Sequence, residues 1–148
     1  MKKAFQSAIQ SGFRQYTLLS GRASRAEYWY WQLFTALVSV GTTLLDIMMG
    51  SGSQGFSLSF MGLVILYLPT IAVTVRRFHD INRSGWWLAL IMVVNVVSYG
   101  YWVQGAGLIS LLPLAGSLST LVCWCVRKGD SGRNRFGEDP FKQMSFVA

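Results

Sequence analysis

Side chains that could do chemistry lie in three short segments, residues 21–29, 76–87 and 132–140. The middle segment places His79 beside Asp80, a pair that could serve as an acid or base and its orienting carboxylate. His79 is the only histidine, and no Cys, Asp or Glu stands at ligand spacing on a shared helix face. A structural role is therefore favoured over a metal site.

The basic residues show which elements must position these segments. All 13 Lys and Arg residues fall in three blocks, Lys2 to Arg25, Arg76 to Arg83 and Arg127 to Lys142, and long apolar stretches lie between them. A helix needs about 20 apolar residues to cross a hydrocarbon core of roughly 30 Å. The stretches are divided by glycine-rich loop sequences, which gives four predicted transmembrane helices. Their ranges are about 28–48, 56–75, 86–103 and 108–126.

Charge supports the even number of spans independently of hydropathy. Cytoplasmic loops carry the Lys and Arg excess, and four spans place every basic block on one side of the membrane. The two outer loops, about 47–56 and 99–107, then hold no ionisable side chain, with Asp46 at the mouth of the first. The predicted fold class is an all-α membrane protein, one four-span domain over residues 1–148 with both termini cytoplasmic.

The composition agrees with a membrane protein and disfavours other classes of protein. The chain is 52% hydrophobic and 14% aromatic, with a net charge of +7. The positive-inside pattern already explains that charge, so no nucleic-acid partner is expected. The first apolar segment begins only at Tyr28 and three more follow, which disfavours a cleaved signal peptide. Cys123 and Cys125 would point in nearly opposite directions on a helix, so neither a disulfide nor a metal pair is predicted.

An amphipathic helix is predicted before the first span, over about residues 3–19 within 1–20. Phe5, Ile9, Phe13 and Tyr16 recur at helical spacing on one face. With Lys2 and Lys3 at its start, the helix could lie in the cytoplasmic interface of the membrane. Packing against the cytoplasmic face of the helical bundle is an equal alternative.

Each segment also contains residues that shape the backbone. Ser24 and Glu27 have the spacing of a capping box, which leaves Arg22 and Arg25 for lipid phosphates or for carboxylates on the other segments. Asn82 or Ser84 could cap the third transmembrane helix. Glycines, Asn134 and a proline predict an ordered, turn-rich cytoplasmic tail over 127–148, and its mixed charges suggest pairing with the other two blocks.

The three segments together resemble a known family. They read Gly21-Arg-Ala-Ser-Arg-Ala-Glu-Tyr-Trp29, Arg76-Arg-Phe-His-Asp-Ile-Asn-Arg-Ser-Gly-Trp-Trp87 and Gly132-Arg-Asn-Arg-Phe-Gly-Glu-Asp-Pro140. In this order they are similar to the signature segments of the bacterial inner-membrane family known as domain of unknown function 805, over roughly residues 12–141. Phe78 and Phe136 stand where many members have Leu and Tyr. The resemblance implies a small multi-pass protein of the bacterial cytoplasmic membrane and brings no established activity.

Polar residues inside the predicted spans are few. No Lys, Arg, His or Glu falls near the membrane midplane, where ion-coupled transporters usually keep an ionisable residue. Asn95 and the small residues Gly116 and Ser117 are interpreted as helix-packing contacts.

Three functional hypotheses follow. The first is a scaffold or interaction protein whose cytoplasmic face binds a protein partner, a second copy or an anionic lipid headgroup. The second is an oligomeric small-solute channel or transporter, with Pro69 and Pro113 breaking helices. The third is a lipid-headgroup enzyme with His79 as acid or base and Asp80 as its orienter; the first hypothesis, without enzyme activity, is favoured.

No cofactor, metal or catalytic residue is predicted. The candidate binding and ion-pair cluster consists of Arg22, Arg25, Glu27, Arg76, Arg77, His79, Asp80, Arg83 and Asn134.

Overall fold

A computed structural model describes residues 2–50, 57–105 and 111–140, and these residues form five α-helices and no strand. The prediction of an all-α protein is therefore confirmed. Phe56, the inner parts of both predicted outer loops, the start of the last predicted span at 108–110 and the tail from 141 lie outside the described residues. The helices are α1 (Lys2–Arg14), α2 (Arg25–Met48), α3 (Leu58–Asp80), α4 (Trp86–Val103) and α5 (Leu111–Val126).

Within the described residues, three helices are long and apolar enough to cross a membrane: α2, α3 and α4. The apolar part of α5, Ala115–Val126, is shorter. The apolar runs of the sequence thus become helices, as expected from the cost of exposing backbone polar groups to hydrocarbon. The four-span count stays a prediction.

Three helix boundaries differ from those predicted. The amphipathic helix ends at Arg14 rather than near 19, and α2 begins at Arg25 rather than near 28. Most importantly, α3 continues to Asp80 although its apolar run ends at Val75. Hydropathy locates the part of a helix that faces lipid, whereas backbone hydrogen bonds determine where the helix ends.

Asn82 ends α3 and does not cap α4. It is a non-glycine residue with positive φ, at 57°. Its backbone N–H donates to the His79 carbonyl at 3.1 Å, and the Arg83 N–H donates to the Phe78 carbonyl at 2.9 Å. These two bonds make the Schellman motif, which satisfies carbonyls that the helix leaves unpaired. The N-cap residue of α4 is Gly85, and this helix has no side-chain cap hydrogen bond; Ser84 lies one residue earlier, with its Oγ 3.5 Å from the Trp86 nitrogen.

The described contacts divide the chain into two compact units. The first contains residues up to Leu19 and Ala26–Val73, and the second contains Ser20–Arg25 and the chain from Thr74 onward. Each unit is described by itself below.

In the first unit, α1 packs on α2 through a glycine. A Cβ atom at Gly12 would lie 2.2 Å from the ring of Trp31, so only glycine permits this approach. Phe13 adds an edge-to-face contact with Trp31 at 5.4 Å between ring centroids, and Ser11 donates to the Glu27 carboxylate at 2.7 Å. The predicted apolar face of α1 thus contacts the protein itself, while its place at the membrane interface stays a prediction.

A proline inside α3 explains a further contact of this unit. Pro69 is fully buried and has no N–H, so the carbonyl four residues earlier, on Ile65, lacks its helical partner. The hydroxyl of Tyr16 donates to that Ile65 carbonyl. The chain following α1 therefore satisfies the polar group that the proline exposes.

In the second unit, α4 and α5 are joined by a polar contact inside their apolar surfaces. The Asn95 amide nitrogen donates to the Ile91 carbonyl at 2.6 Å, and its amide oxygen accepts from Ser117 Oγ at 3.1 Å. Asn95 and Ser117 are packing residues, as predicted. Gly116 is not, because a Cβ atom there would have open space around it.

Candidate functional site

The centre of the candidate site is Asp80, the last residue of α3, whose exposed fraction is 1%. Its carboxylate receives two arginines that are far apart in the sequence. Arg22 contributes Nε at 3.0 Å and Nη2 at 2.8 Å, both to Oδ1, and Arg77 donates to Oδ2 from one turn earlier on α3. A buried carboxylate requires such partners, since an uncompensated charge away from water is very costly.

Arg22 also links Asp80 to the third segment and the chain just before it. Besides Asp80, its guanidinium donates to the backbone carbonyl of Gly132 at 2.5 Å and to that of Asp130. Arginine suits this position because its planar group presents several donors in fixed directions. One side chain thus joins the segment before α2, the end of α3 and the chain after α5.

Arg77 makes a second set of connections. Its side chain is fully buried, and its Nε donates to the Cys125 carbonyl at the end of α5 at 3.1 Å. Its Nη2 donates to the Arg127 carbonyl just beyond that helix. Unpaired carbonyls at a helix C-terminus carry partial negative charge, so a guanidinium is well suited to this place.

Gly129 allows the third segment to approach the carboxylate. A Cβ atom at this position would lie 2.0 Å from Asp80 Oδ2, well inside van der Waals contact. The next residue completes the junction, because the Asp130 backbone N–H donates to the Asp80 carbonyl at 2.8 Å. The segments therefore meet backbone to backbone as well as through side chains.

His79 faces away from the Asp80 carboxylate. Its Nδ1 lies 3.2 Å from the Gly21 carbonyl oxygen, and its ring stacks on Phe136 with centroids 3.8 Å apart and planes 3° apart. The arrangement proposed for an enzyme, in which Asp80 orients His79, is absent: Asp80 is occupied by Arg22 and Arg77. His79 is instead a packing residue between the first and third segments.

Asn134 fastens the tail to the end of α3. Its side-chain nitrogen donates to the His79 carbonyl at 2.9 Å, and its side-chain oxygen accepts from the Phe136 N–H at 2.9 Å. The second bond is a local Asn turn, of the kind favoured by short polar side chains. Gly137 closes the turn through backbone bonds with Asn134 at 3.1 and 3.2 Å. These bonds give residues 134–137 a closed turn beside the end of α3.

One aromatic ring lies beside Arg83, the last arginine of the middle segment. Trp124 near the end of α5 makes edge-to-face contacts with Phe78 and Trp87, each at 5.4 Å between ring centroids. The guanidinium carbon of Arg83 lies 5.3 Å from the centre of the Trp124 ring, within reach of a cation–π contact. Arg83 is nonetheless exposed, in contrast to Arg22, Arg76 and Arg77.

Charge in this unit is unbalanced. Three arginines, Arg22, Arg76 and Arg77, are at most 8% exposed, and the one acid buried with them in the described part of the unit is Asp80. Backbone carbonyls supply much of the remaining stabilisation. Further basic side chains of the same unit are exposed to solvent: Arg25, Arg83, Arg127, Lys128, Arg133 and Arg135.

The chain matches the family model described as "Protein of unknown function (DUF805)" over residues 16–138, a range that contains all three segments. The chain belongs to this family. Two relatives from Escherichia coli strain K12 are named inner membrane protein YhaI and inner membrane protein YhaH. Each is 34% identical over 130 residues, covering 88% of this chain and 92% of YhaI, and 86% of this chain and 90% of YhaH.

A further relative in the same organism, the uncharacterized protein YiiR, is 30% identical over 124 residues, covering 80% of this chain and 83% of that protein. No solved structure is found to match the chain. Family membership and the apolar helices together identify an inner membrane protein, as the sequence segments indicated. The family brings no known activity.

The structure brings together most of the predicted cluster. Arg22, Arg77 and Asp80 form ion pairs, and His79 and Asn134 lie beside them. Arg76 is buried in the same helix turn, where its backbone carbonyl accepts from the Ala23 N–H at 3.1 Å. Arg25 is exposed at the start of α2. The Glu27 carboxylate bonds to Ser11 and belongs to the first unit.

Several contributing residues were not singled out from the sequence: Gly129, Phe136, Arg135 and Trp124. Arg135 donates to the Asn82 carbonyl at 3.2 Å and lies over the Phe136 ring at 4.6 Å. A glycine between Lys128 and Asp130 was a visible signal, but its close contact with Asp80 appears only in three dimensions. Among the described residues no group of three His, Cys, Asp or Glu side chains could hold a metal ion.

Proposed function

We propose that this protein is a four-span interaction protein whose second unit binds anionic lipid headgroups at the cytoplasmic membrane surface. One observation carries the proposal: the unit that contains the buried ion-pair centre also presents a set of exposed basic residues. Arg25 begins α2, Arg83 follows α3, and Arg127 directly follows α5. Each adjoins an apolar helix, so with an even number of spans these side chains lie at headgroup depth.

The buried and exposed arginines have different roles in this proposal. Arg22 and Arg77 already donate to Asp80 and to backbone carbonyls. They hold the segments together and leave few donors for a ligand. The exposed side chains are solvated and can exchange water for lipid phosphate, to which arginine and lysine bind by charge-assisted hydrogen bonds. Binding therefore depends on the exposed residues rather than on Arg22 and Arg77.

The topology can be tested with a reporter at the C-terminus. A green fluorescent protein fusion should fluoresce, and an alkaline phosphatase fusion should be inactive, because the proposal places that end in the cytoplasm. An active phosphatase fusion at the C-terminus would place the basic segments on the outer side and end the proposal.

The binding site can be tested by native mass spectrometry of the purified chain with a phosphatidylglycerol probe. The double variant Arg83→Gln with Arg127→Gln should bind the lipid at least about tenfold more weakly, since the loss of even one charge-assisted bond of roughly 1.5 kcal/mol lowers affinity about tenfold. The matched control, Lys2→Gln with Lys3→Gln, removes the same charge from α1 and should retain nearly all of it. Equal losses would show that net charge alone governs binding, and no loss in the first variant would refute a headgroup site there.

A further inference from the structure

The first unit contains a polar stripe along a helix that is otherwise apolar. Gln32, Thr35 and Ser39 follow one another on α2 at spacings of three and four residues, so they share one face of the helix. None of the three is fully buried in the protein. Their side chains line a cavity of about 360 Å³ between α2 and α3.

The opposite wall of this cavity is mainly apolar. It is formed on α3 by residues that include Gly62, Leu66 and Tyr67. A Cβ atom on Gly62 would lie 3.8 Å from the nearest side-chain atom of α2, so the glycine leaves room between the helices. A largely apolar cavity of a few hundred Å³ with a small number of polar groups is the usual form of a small-molecule site.

Two hydrogen-bond donors in the stripe have no protein acceptor. Thr35 donates to the Gln32 backbone carbonyl at 2.9 Å. By contrast, neither the amide nitrogen of Gln32 nor the hydroxyl of Ser39 donates to any residue in the described ranges 2–50, 57–105 and 111–140. In hydrocarbon such donors are costly unless another molecule supplies an acceptor.

We propose that this cavity binds an uncharged amphiphile, an apolar chain that carries a carbonyl oxygen. A carbonyl oxygen accepts from Gln32 or from Ser39, which lie about two helical turns apart, and the chain lies against Leu66 and its apolar neighbours. An uncharged ligand fits because the described residues that line the cavity include no Asp, Glu, Lys, Arg or His. Such a carbonyl can belong to the ester of a membrane lipid or to a long-chain quinone, and both present the same acceptor.

The site can be located by photo-crosslinking of the purified full-length chain in nanodiscs. The probe is a diacylglycerol with a diazirine in one acyl chain, and peptide mass spectrometry identifies the labelled residues. The expected adducts fall between residues 32 and 39 on α2 and between 62 and 70 on α3. Labelling spread evenly over all apolar helices would overturn the proposal.

Unlabelled competitors then identify the chemical group that the cavity recognises. An unlabelled ester diacylglycerol should compete about fivefold better than its diether analogue, the effect expected for one neutral hydrogen bond. The second competitor is a benzoquinone with a decyl chain. If it competes more strongly than the ester diacylglycerol, the natural ligand is a quinone; if it competes more weakly, the ligand is a lipid ester. Equal competition by ester and diether would contradict the role of the carbonyl.

Variants provide the internal control. Gln32→Leu keeps most of the side-chain volume but removes the donor, and it should lower specific labelling about fivefold. Gly62→Leu should abolish labelling by filling the cavity. The matched control Gly41→Leu, at an α2 position with open space around its Cβ, should change nothing. A cross-linked pair of chains with no lipid adduct would show that a second copy fills the cavity and would refute the proposal.

Discussion

Two aspartates stand at opposite ends of α3, and they are bound in different ways. Asp46, at the end of α2, accepts from the backbone N–H groups of Leu58 and Ser59, each at 2.9 Å, and from Ser59 Oγ at 2.6 Å. Asp80, the last residue of α3, is held by Arg22 and Arg77. One carboxylate caps the start of a single helix; the other joins three distant segments.

The difference supports the proposal that the Asp80 end of α3 does more than stabilise the fold. Capping the start of α3 uses neutral donors from that helix, and any small polar acceptor can do it. At the Asp80 centre, by contrast, charged arginine side chains are buried, and this has a desolvation cost. Hydrophobic residues at the same positions would avoid that cost. Exposed basic side chains lie in the same unit as this buried centre, as the proposed headgroup site requires.

The largest effect is expected from Asp80→Asn. The amide removes the one acid buried with the described arginines of this unit and should cost about 3 to 5 kcal/mol of unfolding free energy, as breaking a buried ion pair usually does. Denaturant titration in mixed micelles measures this loss. Glu138→Gln, an exposed acid with a 3.6 Å contact to Arg133, should show no measurable change. If the two variants were equally stable, the Asp80 ion pairs would be unimportant.

A smaller loss is expected from Gly129→Ala. The added methyl group would press on Asp80 Oδ2, and that oxygen cannot retreat without weakening its bond from Arg77. Displacements of this kind cost about 1 to 3 kcal/mol. The same substitution at Gly116 meets open space in a helix and should be neutral or slightly stabilising. Thermal unfolding compares the pair, and a neutral Gly129→Ala would mean that the tail is not held against Asp80.

The smallest effect is expected from Asp46→Asn, the same chemical change at the other end of α3. Asparagine remains a good helix cap because its amide oxygen still accepts from a backbone N–H. The melting temperature should therefore fall by a fraction of the change seen for Asp80→Asn. If the melting temperature fell more for Asp46→Asn than for Asp80→Asn, the Asp46 end of α3 would be the more important of the two for stability.

The sequence predicted the helices well because long apolar runs leave the backbone few alternatives in a membrane. The sequence also predicted that the mixed charges of the tail pair with the other segments. In the structure, Arg22 instead donates to the backbone carbonyls of Gly132 and Asp130, and Arg133 lies near Glu138 within the tail itself. Asn95 and Ser117 could be identified because isolated polar residues in apolar helices usually bond across them.

Other features depend on tertiary geometry. The last turn of α3 is charged yet buried, so hydropathy ends the helix too early at Val75. Adjacency in sequence suggested pairing His79 with Asp80, whereas the two side chains point to different partners. Close approach at Gly12 and Gly129 depends on which atoms face them, and the sequence does not carry that information.

A double-mutant cycle between Arg22 and Asp80 tests most directly whether an ion-pair centre joins the three segments. Unfolding free energies are measured for Arg22→Gln, Asp80→Asn, the double variant and the parent chain in the same mixed micelles. The contact at 2.8 Å predicts a coupling energy of at least about 1 kcal/mol, so the double variant should be more stable than the sum of the single losses implies. Losses that add to within about 0.5 kcal/mol would show that the two residues act independently and would contradict the account.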